Sequence, residues 1–162
     1  MRIVRDYHYT GEAGKGASVA IGNFDGVHIG HRAVIDLARR EATRLDAPLG
    51  VMTFEPHPRE FFAPDAPPFR LTGPGARAHR LEKIGVDILY ELAFNAALAG
   101  LSPEDFVTRV LVEGLGVRHV TVGADFHFGA KRAGTPEVLR DFGDRLGFGV
   151  TIADLVAEGE EE

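Results

Sequence analysis

The chain is organised around one short stretch, in which an apolar strand runs into a glycine turn and then into a helix. The apolar run 19–21 ends at Gly22, and a helical pattern of apolar residues begins near Ile29. A strand, a glycine-containing turn and a helix in this order form the local arrangement with which α/β proteins hold phosphate. We therefore expect an α/β fold with a phosphate-binding site at this turn.

Two histidines lie at the predicted start of this helix. His28 and His31 are three residues apart, which places both on one helical face, and Gly30 between them permits close approach of a ligand to the backbone. The first N–H groups of a helix lack partners within it, and the helix dipole adds partial positive charge there. Imidazoles at this position can donate hydrogen bonds to phosphoryl oxygens as charge builds up in a transition state. Helix capping and metal binding by the histidine pair are the alternatives.

The rest of the chain predicts alternating strands and helices. Helical spacing covers residues 29–46, and Pro48 ends that pattern. Residues 2–9 could form an edge strand. The order of elements implies right-handed crossovers, so we expect one domain over residues 1–162 with a Rossmann-like three-layer α/β/α fold and a mostly parallel five-stranded sheet. The five predicted strands cover residues 19–21, 49–54, 86–92, 117–122 and 150–153.

A proline-rich loop follows the second predicted strand. Pro56 and Pro58 enclose His57, which gives a stiff, non-helical loop. Phe61 and Phe62 then offer an apolar wall for a planar ring. Ligands of open α/β sheets bind beyond the carboxyl ends of the strands, so this loop is a candidate part of a site. The alternative is that the phenylalanines fold back onto the core.

A second glycine-containing loop leaves the fourth predicted strand at Gly123, and we expect it beside the first strand. It carries Asp125, two aromatic residues and, further on, Arg132. We expect Phe126 to lie in the core and Phe128 to line the site. The alternative is that the glycines only shape a turn.

Composition limits the classes of function. The net charge of −6 argues against a protein that binds nucleic acid by neutralising backbone phosphates. The absence of cysteine excludes disulfides and thiolate metal sites. No apolar run approaches the roughly 20 residues that cross a bilayer. The first residues lack the apolar core of a secretory signal. We therefore expect a cytoplasmic protein without a membrane or nucleic-acid partner.

Three segments resemble motifs of one superfamily, the HIGH-type nucleotidyltransferases. Residues 22–31 read G-N-F-D-G-V-H-I-G-H and resemble its G-x-F-D-x-x-H-x-G-H motif. With Asn23 and the Gly26-Val27 pair included, the segment is most similar to the FMN adenylyltransferase module of bacterial bifunctional riboflavin kinase/FAD synthetase. Residues 53–58 and 122–134 resemble two further motifs of that module, T-F-x-P-H-P and V-G-x-[DN]-F-x-F-G-x-x-R-x-G.

The resemblance implies that the chain transfers AMP from ATP to FMN, giving FAD and pyrophosphate. FMN and ATP would be its small-molecule substrates, with Mg²⁺ arriving on ATP and no metal site made by the protein itself. His28 and His31 would stabilise charge on the phosphates. The residues implied on the nucleotide side are Gly22, Asn23, Phe24, Asp25, Gly30, Gly123 and Arg132. Those implied on the flavin side are Pro56, His57, Pro58, Phe62, Asp125 and Phe128.

The chain departs from the family pattern at two points. Asn95 follows Phe94 where the family often has Phe-Asp. A segment similar to S-S/T-x-x-R, whose hydroxyls and arginine bind the triphosphate, does not follow the last predicted strand. We therefore expect a domain truncated before that segment and lacking the riboflavin kinase domain.

Three other functions fit the same residues. The H-x-G-H motif is shared across the superfamily, so the acceptor could be another small phosphate ester that is adenylylated or cytidylylated. The missing segment also fits a non-catalytic domain that binds flavin or nucleotide. A metal-binding protein would use His28, His31, His57 and His127.

Overall fold

The fold is built on one parallel sheet, which is seen in a computed structural model that describes residues 1–22, 29–56, 62 and 74–154. Every described strand pairing is parallel, and the strands lie in the order β1-β4-β3-β2-β5-β6. The prediction of an α/β fold is confirmed, but the sheet has six strands rather than five, since β1 pairs with β4 at one edge. The strands are β1 (Arg2–Val4), β2 (Ser18–Ile21), β3 (Leu49–Glu55), β4 (Ile88–Ala93), β5 (His119–Gly123) and β6 (Gly149–Ala153).

Helices connect these strands and cover both faces of the sheet. The longest is α1 (Ile29–Leu45), whose predicted start and end are confirmed to within one residue. The others are α2 (Pro74–Lys83), the single turn α3 (Ala96–Ala99), α4 and α5 (Pro136–Leu146). Helix α4 begins as Pro103–Asp105 and continues as the π-helix Phe106–Gly114. Short 3₁₀ turns form at Tyr7–Tyr9, Glu12–Gly14 and Ala130–Arg132.

Two apolar clusters make the fold three-layered. On one face, Val51 and Leu89 of the sheet pack with Ile35 of α1 and Leu81 of α2, all of them buried. On the other face, the sheet packs against α4 and α5, as shown by the buried side chains of Val19, Met52, Tyr90, Val107, Leu111 and Leu139. Burial of apolar area on both faces explains why the central strands read as continuous apolar runs.

Helix α4 is not an ordinary α-helix, although its apolar residues follow helical spacing. Ser102 caps its first turn, with the Ser102 hydroxyl accepting from the Asp105 N–H at 3.1 Å. The following turns are wider than in an α-helix, and the Leu115 N–H bonds the carbonyl of Val110, five residues earlier. Apolar spacing alone does not distinguish such a helix from an α-helix.

The strand order reverses at the pair β2 and β5, and we call the region outside the carboxyl ends of these two strands the crevice. From β2 the chain adds β3 and β4 on one side, and it then crosses back to place β5 on the other side of β2. Ligands of open α/β sheets bind at such a reversal of strand order, outside the carboxyl ends of the strands. The two glycine-containing segments found in the sequence follow β2 and β5, so the prediction that they are neighbours is confirmed.

Candidate functional site

The first side of the crevice is the end of β2 and the start of α1. The Gly22 N–H donates to the carbonyl of Met52 at 3.1 Å, which fixes the point where the chain leaves the sheet. Gly30 and His31 lie in the first turn of α1, and that turn contains no acidic residue. An N-terminal turn without carboxylates keeps the partial positive charge of the helix available to an anion. The predicted site residues Asn23, Phe24, Asp25 and His28 lie outside the described residues.

The other side of the crevice is the loop after β5, which closes on itself. Phe128 and Gly134 exchange backbone hydrogen bonds, with N···O distances of 3.1 and 2.8 Å. The loop is also tied to the start of α4, because the Ala130 N–H donates to the carbonyl of Leu101 at 2.7 Å. At Gly129 the backbone has φ of 78° and lies against Pro103, so a larger residue is excluded there. This loop is therefore held at both of its ends.

The two phenylalanines of this loop are buried in the reverse order to the one predicted. Phe128 is 6% exposed and packs on Phe106, with ring centroids 5.5 Å apart. Phe126 is partly buried and stacks on the ring of Phe128 at 5.7 Å and 16°. The physical reason is the bond pair with Gly134, which places the Phe128 ring over that glycine and in the core. Contact between Phe128 and a flavin stays a prediction, and Phe126 is the more accessible ring.

The exposed part of the loop is polar and carries several charges. Asp125, His127 and Arg132 are at the surface. The Nδ1 of His127 is 2.9 Å from the carbonyl oxygen of Asp125 and 3.4 Å from Nη2 of Arg132. A carbonyl can only accept and a guanidinium can only donate, so the shorter contact favours a proton on Nδ1. Lys131 and Arg132 both have left-handed backbone, with φ of 58° and 55°.

An ion-pair network lies beneath the ends of β3 and β4 and was not predicted from the sequence. Arg77 of α2 is 1% exposed, and its Nη2 lies 3.1 Å from Oε2 of Glu55 and 3.7 Å from Oε2 of Glu91. The other carboxylate oxygen of Glu91 lies 3.3 Å from Nε of Arg5. The partners come from the segment after β1, from β3, from β4 and from α2. The one signal of this network in the sequence is Arg77, a cationic residue next to the apolar positions of helix α2.

A row of aromatic rings leads from the core to the surface beside this network. Phe54 of β3 is buried, and Phe94 meets it edge-on at 5.8 Å and 76°. Phe62 in turn meets Phe94 at 5.9 Å and 75° and is itself 69% exposed. The alternative that the phenylalanines of this loop fold back onto the core is therefore wrong for Phe62, while Phe61 lies outside the described residues. Pro56 is exposed at the end of β3, while His57 and Pro58 lie outside the described residues.

The departure at Asn95 is structurally compatible with the family pattern. Asn95 is the N-cap of α3, where its side-chain Oδ1 accepts from the N–H of Leu98 at 2.9 Å. Asparagine and aspartate cap helices about equally well. An amide at this position therefore serves the capping role that an aspartate would serve.

Neither a metal cluster nor a membrane span is seen in the described part of the chain. Among those residues, His, Asp and Glu side chains do not form a group of three or more that could hold a metal ion. Within the same ranges, none of the helices combines the length and the apolar character needed to cross a bilayer.

Comparison with known proteins identifies a family. The sequence model of the FAD synthetase family matches residues 11–162. A bifunctional riboflavin kinase/FMN adenylyltransferase of Pseudomonas fluorescens is 45% identical over 156 residues, which are 96% of this chain and 50% of the relative. The proteins of the same description from Escherichia coli strain K12 and Bacillus subtilis are 38% and 33% identical, over 98% and 100% of this chain. The chain spans about half the length of these curated relatives.

A solved structure agrees with the fold. A crystal structure described as a macrolide-efflux protein from Streptococcus pneumoniae matches with a TM-score of 0.76 at 26% identity. The match covers 94% of this chain and 49% of that protein. The likeness therefore extends over nearly all of the α/β domain described above.

Proposed function

The chain belongs to the FAD synthetase family, and from that premise we propose that it transfers AMP from ATP to FMN, giving FAD and pyrophosphate. The observation that carries the proposal is the pairing of β2 with β5, since both motif-bearing loops leave the sheet at this one junction. One loop begins at Gly22 and leads into α1, and the other begins at Gly123. FMN and ATP are then the ligands, and the reaction belongs in the cytoplasm, where ATP is available.

The proposed reaction requires that FMN and ATP are positioned and that negative charge on the phosphate oxygens is stabilised. A phosphate oxygen of FMN attacks the α-phosphorus of ATP, and the bond from that phosphorus to the pyrophosphate oxygen breaks. Such a transfer needs alignment of the two substrates and donors for the charged oxygens, without a covalent enzyme intermediate. In the proposal, His28 and His31 donate to those oxygens, assisted by the N–H groups of the first turn of α1. Mg²⁺ enters with ATP as part of the substrate.

The flavin is proposed to lie on the β3 side of the crevice. Phe62 offers an exposed ring there, and an isoalloxazine is a large planar system that stacks favourably on aromatic side chains. Pro56 is exposed at the end of β3 on the same side. Asp125 and Arg132 are proposed to contact the polar parts of the ligands from the loop after β5, where both are exposed.

The test is product formation with a matched histidine control. The chain is incubated with FMN, ATP and Mg²⁺, and FAD is measured by chromatography. We expect FAD from the wild-type chain, none from the His28→Ala/His31→Ala variant, and undiminished FAD from His79→Ala. His79 is an exposed histidine of α2, so its loss controls for removing an imidazole as such.

Each of the other outcomes points to a different function. FAD formed by the double variant at the wild-type rate would contradict the roles of His28 and His31. Saturable binding of FMN without FAD would indicate a binding domain rather than an enzyme. Failure to bind FMN in a titration would direct attention to another phosphate ester as the acceptor.

A further inference from the structure

We infer that Arg77 is a positioning residue for the flavin, acting through Glu55 and Phe94 on the exposed ring of Phe62. The inference rests on the proposed function, because it takes Phe62 as a flavin contact. It adds Arg77, which lies below the crevice surface and which neither the motifs nor the relatives' descriptions single out. Arg77 itself does not touch the ligand, since it is 1% exposed.

The first step is the hold that Arg77 has on Glu55. The guanidinium lies 3.1 Å from one carboxylate oxygen of Glu55, the last residue of β3. The Glu55 side chain is 30% exposed, and this bond restricts the rotamers that the carboxylate can adopt. Nη2 of the guanidinium faces both carboxylates, and its N–H groups point in directions fixed by the planar group, which the rotatable ammonium group of a lysine does not reproduce.

The second step is the compensation of charge that keeps Arg77 in place. Glu91 is 8% exposed and lies on the far side of the network, between Arg77 and Arg5. Among the described residues, these ion pairs thus set Arg5 and Arg77 against Glu55 and Glu91. A buried guanidinium with one partner only would carry a large desolvation cost, and the second carboxylate reduces it. The two arginines also weaken the repulsion between these carboxylates and a phosphate ligand near the strand ends.

The third step connects Glu55 to the aromatic row. The carbonyl of Glu55 accepts from the Phe94 N–H at 3.0 Å. Phe94 then lies between two rings, edge-on to buried Phe54 and edge-on to exposed Phe62. The side chain of Glu55 is thus bound by Arg77. Its backbone carbonyl binds the N–H of Phe94, whose ring contacts Phe62. A shift of Glu55 is passed to Phe62 by one hydrogen bond and one ring contact.

The test separates flavin binding from nucleotide binding. In Glu55→Ala the Arg77 guanidinium keeps Glu91 as a partner, so the variant is expected to fold. We expect its dissociation constant for FMN, measured by quenching of flavin fluorescence, to rise about tenfold, as for coupled neighbouring residues. The KM for FMN should rise in parallel, while the KM for ATP stays within about twofold of the wild-type value. Arg77→Lys should show the same selective loss, because lysine keeps the charge but loses the planar group whose Nη2 binds Glu55.

The control is Glu41→Gln, which removes another ion-paired carboxylate of similar exposure. Glu41 lies on α1, is 21% exposed, and pairs with Arg44 at 2.8 Å. Thermal unfolding of all variants is followed in parallel. We expect the control to bind FMN as the wild type does. An unchanged FMN constant in folded Glu55→Ala, or an equal loss for FMN and ATP, would overturn the inference. A wild-type chain that does not bind FMN would overturn the proposed function as well, so the two failures are distinguishable.

Discussion

Gly134 occupies a position where an aromatic ring leaves room for a hydrogen atom only. A Cβ at this residue would lie 2.6 Å from the ring of Phe128, well inside van der Waals contact. The ring cannot move away freely, because Phe106 and Phe126 pack on it. The tightness of this contact explains why a glycine stands at the end of the loop.

We therefore expect Gly134→Ala to lower the free energy of unfolding by about 1–3 kcal/mol, the usual cost of overpacking a core. Urea unfolding followed by circular dichroism measures the change. Gly75→Ala is the matched control, because a Cβ at Gly75 would meet no atom within 4 Å. That substitution in helix α2 should be neutral or stabilising by up to about 1 kcal/mol. Equal effects of the two substitutions would show that Phe128 is not fixed over Gly134.

His119 is a second residue whose surroundings have a measurable effect. Its Nε2 lies 2.7 Å from the Thr151 hydroxyl oxygen, and its Nδ1 lies 3.5 Å from Oε1 of Glu41. Burial disfavours the imidazolium and lowers the pKa of His119 below its ordinary 6.5, although Glu41 partly opposes this effect. The unfolded chain therefore binds a proton at higher pH than the folded chain does.

The sign of the pH dependence follows from this difference. Stability that depends on neutral His119 is present above pH 6.5 and is lost as the pH falls below that value, toward the folded-state pKa. We expect the urea midpoint of the wild-type chain to fall more between pH 7.5 and pH 5.5 than that of His119→Gln, because only the wild-type chain carries the lowered pKa of His119. Parallel pH profiles for the two proteins would contradict the argument. His79→Gln, on an exposed histidine, should follow the wild type.

At the scale of the element, helix α5 shows how a single hydroxyl sets a boundary. Thr135 is its N-cap, with the Thr135 Oγ1 accepting from the Val138 N–H at 3.2 Å, and Pro136 follows at the first helical position. Gly147 ends the helix with φ of 91°. These signals are local in the sequence, so the boundaries of α5 could be predicted from it.

Thr135→Ala should cost about 1 kcal/mol of unfolding free energy, the typical loss of an N-cap. Thr108→Ala provides the comparison in helix α4. There the hydroxyl donates back to the carbonyl of Glu104 at 2.9 Å, a bond that does not cap the helix. We expect the second substitution to be neutral or slightly stabilising, since alanine is the better helix former. A larger loss at Thr108 than at Thr135 would contradict the assignment of the cap.

Other elements could not be read from the sequence, for a common physical reason. The burial of Phe128 depends on Phe106, which lies 22 positions earlier, and the position of Arg77 depends on carboxylates of two strands. The π-helical spacing of α4 likewise has no local sequence signal. By contrast, α1, the caps and the five longer strands follow from patterns within a few residues. The candidate site was predicted as loops at strand ends, while the network beneath those loops required the fold.

At the scale of the whole molecule, the crevice lies where two halves of one sheet meet. Strands β2, β3 and β4 form one half with β1, and β5 and β6 form the other. A ligand that contacts the loops after both β2 and β5 binds the folded chain only. Binding therefore adds to the free energy of unfolding by mass action.

With FMN and the Mg²⁺ complex of a non-hydrolysable ATP analogue at about 100 times their dissociation constants, we expect each ligand to add about 2.7 kcal/mol. Differential scanning fluorimetry measures the accompanying rise in Tm. Mg²⁺ alone serves as the control and should leave the Tm unchanged. A rise with Mg²⁺ alone would favour a resident metal site and would contradict the view of Mg²⁺ as part of the substrate.

Helix α1 has a consequence beyond its first turn. It packs across β2 and β3 on one side of the junction and across β5 and β6 on the other. The Ser18 hydroxyl of β2 bonds its Ala38 carbonyl at 2.8 Å, and Glu41 faces His119 of β5. An anion bound at the start of α1 would therefore reduce local unfolding of both β3 and β5, two strands that are not consecutive in the chain. Amide hydrogen exchange in β3 and in β5 should slow together when the anion binds. Helix α1 would then couple the stability of the two halves of the sheet, in addition to supplying positive charge at its first turn.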